Sequence, residues 1–86
     1  MKHLIVTVEE PYLNESYDLE VPQDLAVVQL TEDILETLKG YRPDRICRDA
    51  ERTVLKVPRL ERVLGPNETL YEAGVWNGDL LRLAEK

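Results

Sequence analysis

Leu4, Val6 and Val8 alternate with His3, Ile5 and Thr7, which sets the three on one side of the chain. A period of two belongs to a strand with one buried face. Pro11 follows Glu9-Glu10 and ends the strand, because proline has no N–H to give to a ladder. After a loop over 12–15, Tyr17, Leu19 and Val21 alternate with Ser16, Asp18 and Glu20 as a second strand. So short a link predicts an antiparallel hairpin. Beyond Pro22-Gln23-Asp24 the period changes, and Val27, Leu30, Ile34 and Leu38 follow at spacings of 3, 4 and 4. These positions share one helical face. They predict a helix over about 25–39, with Val28 and Leu35 flanking the stripe, Lys39 in the last turn and Gly40 as the stop.

Period two returns at Thr53, Leu55 and Val57 and ends at Pro58. Leu60 to Leu64 predicts a short fourth strand, closed by Gly65-Pro66-Asn67. Thr69-Leu70 opens a brief turn of helix, and Asn77-Gly78-Asp79 turns the chain into a last strand carrying Leu81 and Leu83. The order β-β-α-β-β-β predicts an α+β fold, a mixed sheet with one helix packed across it and the first strand paired to the last. That arrangement is the β-grasp. The expected core sets Leu4, Val6, Leu19, Val21, Leu55, Leu81 and Leu83 against Val27, Leu30, Ile34 and Leu38. At 86 residues, one domain over 1–86 is expected.

Charge adds a second pattern. Between Lys39 and Arg62 lie eight bases and four acids, a balance of +4, whereas the rest of the chain holds three bases and thirteen acids, −10. The total of −6 argues against a phosphate backbone, so no nucleic acid is expected as partner. Fields of this kind steer and orient encounters. Arg42, Arg45, Arg48 and Arg52 are spaced 3, 3 and 4, which would align them were this stretch a short helix. An arginine-rich loop is the other reading. Lys56 and Arg82 fall on the outward phase of their strands. Together these residues form a candidate protein-binding surface for an acidic partner. The acidic remainder of a second copy is a further candidate, which would give head-to-tail self-association. Trp76, between Gly74-Val75 and the Asn77-Gly78 turn, either covers the edge of the core or anchors a partner, as tryptophan often does in interfaces.

Little in the chain suggests catalysis. Cys47 and His3 are the only cysteine and histidine, so neither a disulfide nor a zinc cluster is expected. His3 reads as solvent-facing, and Cys47 as a partly buried structural thiol between Arg45 and Arg48. Glu9-Glu10 and Glu32-Asp33 read as solvated acids. No catalytic residues, cofactor or metal are expected. No apolar run reaches the roughly 20 residues of a membrane span. The opening residues alternate too soon for a signal peptide. A cytoplasmic protein without membrane insertion is the expectation.

Leu4-Ile5-Val6, Leu19-Glu20-Val21-Pro22, the Leu30/Ile34 helix, Thr69 to Val75 and Asp79-Leu80-Leu81-Arg82-Leu83 resemble ubiquitin-like proteins. Tyr17 to Pro22 and Ala73 to Leu81 are most similar to the bacterial YukD/EsaB group. The resemblance implies a non-enzymatic, cytosolic accessory of a type VII secretion system. A second set of relatives implies a covalent or self-assembling modifier of a bacterial ubiquitin-type conjugation operon. Ubiquitin ends in a flexible tail with two glycines, whose missing Cβ lets it thread an enzyme channel. Here only Glu85-Lys86 follow the last predicted strand, an expectation against the modifier. Arg82 between Leu80 and Ala84, with Arg52, Val54 and Lys56, replaces the apolar recognition patch of ubiquitin with a basic-aliphatic face.

Overall fold

The computed structural model describes residues 2–86. Strands β1 (His3–Glu10) and β2 (Glu15–Pro22) form the predicted antiparallel hairpin, in continuous register from His3↔Pro22 to Glu10↔Glu15. Helix α1 (Val27–Tyr41) follows, then β3 (Thr53–Val57), β4 (Arg62–Val63), α2 (Leu70–Ala73) and β5 (Leu80–Glu85). The sheet order is β2-β1-β5-β3-β4. β1 and β5 run parallel, and the other neighbours antiparallel. This is the ubiquitin-like β-grasp: a mixed five-stranded sheet with α1 packed across one face.

The alternation picks the buried face correctly. Val6, Val8, Leu19, Val21, Leu55, Leu81 and Leu83 pack against Val27, Leu30, Ile34 and Leu38. Leu4, near the start of its strand, is only half-buried and packs on the margin of this cluster.

Helix α1 is shifted from its predicted bounds for two reasons. No side chain caps its start. Instead the Val27 and Val28 N–H groups donate to the Glu68 and Pro66 carbonyls, at 2.9 and 3.0 Å, so the first turn forms where that loop can satisfy it. At the other end the helix runs through Gly40 to Tyr41, whose ring stacks on Tyr17 with centroids 6.0 Å apart. The stop is Pro43, which disfavours helical geometry at Arg42. The α2 turn carries a full capping box, with the Thr69 hydroxyl accepting from the Glu72 N–H and the Glu72 carboxylate accepting from the Thr69 N–H. Gly74 then adopts a left-handed φ of 82°, where a Cβ would be strained.

Among the described residues, no helix is long and apolar enough to cross a membrane, and no group of three or more His, Cys, Asp or Glu could hold a metal ion.

Candidate protein-binding surface

Residues 42–49 form turns and irregular chain, with a 3-10 turn at Ala50–Arg52, so the spacing of the four arginines is not realised on a helix. What positions them is pairing with the hairpin. Arg42 Nη2 donates to Glu15 Oε2 at 3.0 Å, and Arg45 Nη1 lies 3.9 Å from the same oxygen. Glu15 also accepts from the Tyr17 hydroxyl at 2.7 Å, which raises the Tyr17 pKa.

Arg48 goes deeper. Its side chain is 7% exposed, and its Nε and Nη2 both donate to the carboxylate of Glu10, itself 2% exposed. Tyr12 covers the guanidinium, with its ring centroid 4.6 Å from Cζ. Glu10 is thus no solvated acid. It continues the inward phase of Leu4, Val6 and Val8 and meets a buried cation. Cys47, next to it, is exposed instead of partly buried, because the side chain that turns into the core here is Ile46.

Three of the candidate arginines, Arg45, Arg48 and Arg52, do meet around a depression of about 340 Å³ at the hairpin tip. Glu10, Asp49 and Glu85 line it too, so the site is electrically balanced. The same neutralisation recurs across the basic stretch. Arg59 pairs with Asp79 at 2.8 Å and Arg62 with Glu68 at 2.9 Å. Five of its eight bases are matched to Glu10, Glu15, Glu68 and Asp79, all from the acidic remainder. Among the described residues Lys39, Arg52 and Lys56 remain unpaired, against Asp44, Asp49, Glu51 and Glu61. Folding has converted the linear charge segregation into internal ion pairs.

The open sheet face keeps a local excess. Lys56 and Arg82 are direct cross-strand partners and both point outward. Like charges so placed destabilise a sheet. Arg82 is partly offset by Glu9, which accepts from its Nε. A groove of about 280 Å³ joins Lys56, Arg62 and Arg82 to Pro58 and Val63, with Glu61 as its acid.

Beside Pro58, Arg59 builds the second feature. Its Nε and Nη2 donate to both oxygens of Asp79 at 2.8 Å, and Nη2 donates to the Gly74 carbonyl at 2.7 Å. The guanidinium lies 3.8 Å over the ring of Trp76, and the backbone N–H of Trp76 donates to Asp79 Oδ2 at 2.8 Å. Trp76 is 65% exposed, so it does not cover the core; it stands in solvent against the Arg59 guanidinium. The turn is tied to β1 by Gly78 N–H donating to the Ile5 carbonyl and Ile5 N–H donating to Asn77 Oδ1, both at 2.7 Å. The half-exposed Ile5 extends this apolar corner.

The Arg59 guanidinium holds the Asp79 carboxyl below its usual range, aided by the Trp76 N–H and opposed by burial. A depressed carboxylate stabilises the fold fully above its unfolded pKa, about 3.9, and that contribution is lost as pH falls through the lower folded value. Trp76 fluorescence is therefore expected to change in that acid range ahead of global unfolding. Asp79→Asn should show the altered emission already at pH 7. An unchanged emission in this variant would mean that the turn holds Trp76 without the carboxylate.

The family model described as WXG100 protein secretion system (Wss), protein YukD, matches residues 3–83. The EccD5 ubiquitin-like domain from Mycobacterium xenopi is 18% identical with a TM-score of 0.82, covering 100% of this chain and 97% of that one. The ubiquitin-like domain of the Mycobacterium tuberculosis type VII secretion system protein ECCD1 is 22% identical with a TM-score of 0.75, over 99% of this chain and 100% of that one. The UBL domain of Plasmodium falciparum Dsk2 is 15% identical with a TM-score of 0.77, over 99% and 100%. At such identities the likeness is one of fold. No curated protein sequence matches the chain.

Proposed function

Because the chain belongs to the YukD family of the WXG100 protein secretion system, we propose that it is a non-catalytic, cytoplasmic accessory of type VII secretion that works by binding another component of the machinery. The family match over residues 3–83 carries this reading. The likeness to two ubiquitin-like domains of EccD proteins supports it.

The binding face is the open sheet around Lys56 and Arg82, with Arg52 at its end and Trp76 at its corner. The like-charged cross-strand pair favours an acidic partner, since an incoming carboxylate relieves a repulsion the free fold tolerates. Trp76 already stacks against Arg59 in the free fold, which lowers the side-chain freedom it has to lose on binding.

The test is deletion of the gene in a bacterium that exports WXG100 proteins, followed by measurement of those proteins outside the cell. Export should fall and return with the wild-type chain, but not with Trp76→Ala or with Lys56→Glu/Arg82→Glu. Undiminished export after deletion would end the proposal. In titrations against cytosolic domains of the machinery, Trp76→Ala should cost about 2 kcal/mol or more, roughly thirtyfold in Kd. The charge reversal should weaken binding mainly at low salt, because exposed pairs are screened over about 8–10 Å at ordinary ionic strength. Neither variant should move the melting temperature by more than a few degrees.

A further inference from the structure

The opposite edge of the sheet carries a second, independent surface. β2 is an edge strand, paired only with β1 through an unbroken register of eight residues. Among the described residues no other backbone hydrogen bond reaches Ser16 to Val21, so the outer N–H and C=O groups of this edge are free. Edges of this length are usually blunted by charged side chains, lysine above all, by a bulge or by an internal proline. Between Ser16 and Val21 there is no lysine, bulge or proline, and the only blunting charges are the acids Asp18 and Glu20, which repel a second acidic strand and admit a basic one.

Next to the edge a groove of about 220 Å³ lies between β2 and α1. Buried Leu19, Val21, Leu30 and Ile34 form its floor, and exposed Glu20 and Asp33 its rim. Among the described residues none of Asp18, Glu20 and Asp33 is in an ion pair. These three are among the acids that the basic stretch leaves unmatched, and no base among the described residues lines the groove.

We propose that this edge and groove receive an extended basic segment of another protein as a sixth strand, antiparallel or parallel to β2. The chemistry of the segment follows from the pleat. Alternate side chains would lie beside Asp18 and Glu20 on the open face, which calls for Lys or Arg. The intervening ones would lie over Leu19, Val21 and Ile34, which calls for Val, Ile or Leu. A second copy of this chain does not satisfy these demands. Two β2 edges brought together would set Asp18 and Glu20 against their own kind. The other edge strand, β4, is only the two residues Arg62–Val63.

The experiment titrates the whole chain with a peptide alternating Lys and Val. It is compared with a block-ordered peptide of the same composition and with an alternating peptide N-methylated at every amide, so that neither edge can donate. Binding is followed by amide chemical shifts and by hydrogen exchange. The alternating peptide should bind, protect β2 amides that exchange freely without it, and shift the Leu19, Val21 and Ile34 signals. The block-ordered and N-methylated peptides should bind at least about tenfold more weakly, as should the alternating peptide to Asp18→Lys/Glu20→Lys at an unchanged melting temperature. Equal binding of the N-methylated peptide would reduce the interaction to charge alone and overturn the strand addition. Shifts confined to the Lys56/Arg82 face, or a concentration-dependent dimer protecting β2 without peptide, would overturn the assigned site or occupant.

Discussion

Arg48→Ala is expected to destabilise the protein by about 3–5 kcal/mol, because it strands the carboxylate of Glu10 in a site that is 2% exposed. For a domain of this size that is a fall in Tm on the order of 15 °C, measured by circular dichroism at pH 7. The size of the effect is mostly the cost of an uncompensated buried charge, not the worth of the pair. The paired variant Glu10→Leu/Arg48→Met should therefore recover most of the loss. Arg48 itself is imperfectly satisfied, since its Nη1 is buried and meets no protein acceptor. An apolar pair removes that orphan donor as well. A double variant as unstable as Arg48→Ala would mean that packing of the loop, and not the stranded carboxylate, dominates. If Arg48→Ala melts within a degree or two of the wild type, the pair is not buried in solution.

The sequence carried this ion pair only halfway. Glu10 holds the fourth inward position after Leu4, Val6 and Val8, and an acid on a core phase calls for a buried cation. That signal was present in the alternation itself. Its partner was not, because Arg48 comes from an irregular segment 38 residues later, where no period constrains which side chain turns in. The same limit hid Arg59 and Asp79, which lie 20 residues apart and meet only through the sheet. Local periodicity was enough for β1, β2, β3 and β5, since each buries one face and alternation reports faces directly. It failed for the strand expected over Leu60 to Leu64, where a 3-10 turn takes Pro58–Leu60 and only Arg62–Val63, both exposed, pair as β4. It was not enough for the ends of α1, which are set by the distant carbonyls of Pro66 and Glu68 and by Pro43.

Charge shows the limit most plainly. Counted along the chain, residues 39–62 are a basic block, and a basic docking face is the natural reading. Folding places those arginines beside Glu10, Glu15, Glu68 and Asp79, so most of the block is spent on holding the molecule together. What survives on the surface is a small basic face at Lys56 and Arg82 and a larger unpaired acidic side at β2 and α1. The linear pattern located the charges correctly, but a charge is available to a partner only if the fold has not already used it.

The phase of α1 gives the second large effect. Ile34 is 2% exposed in the middle of the helix, facing Leu30, Leu38 and the sheet, and Val28 on the same helix is 53% exposed. Ile34→Ala removes buried methyl groups that the packed sheet cannot collapse to replace. It should cost about 2–5 kcal/mol, a large share of the 5–15 kcal/mol typical of a folded domain. Val28→Ala deletes atoms already in water and, with the better helix propensity of alanine, should fall within about 0.5 kcal/mol of the wild type. Urea unfolding of the two variants at equal m-value isolates the difference. The contrast matters more than either value, since both substitutions shorten a β-branched residue in one helix. Equal costs would place the helix in the wrong rotation about its axis. That error would also take Leu30 and Ile34 out of the floor of the groove beside β2.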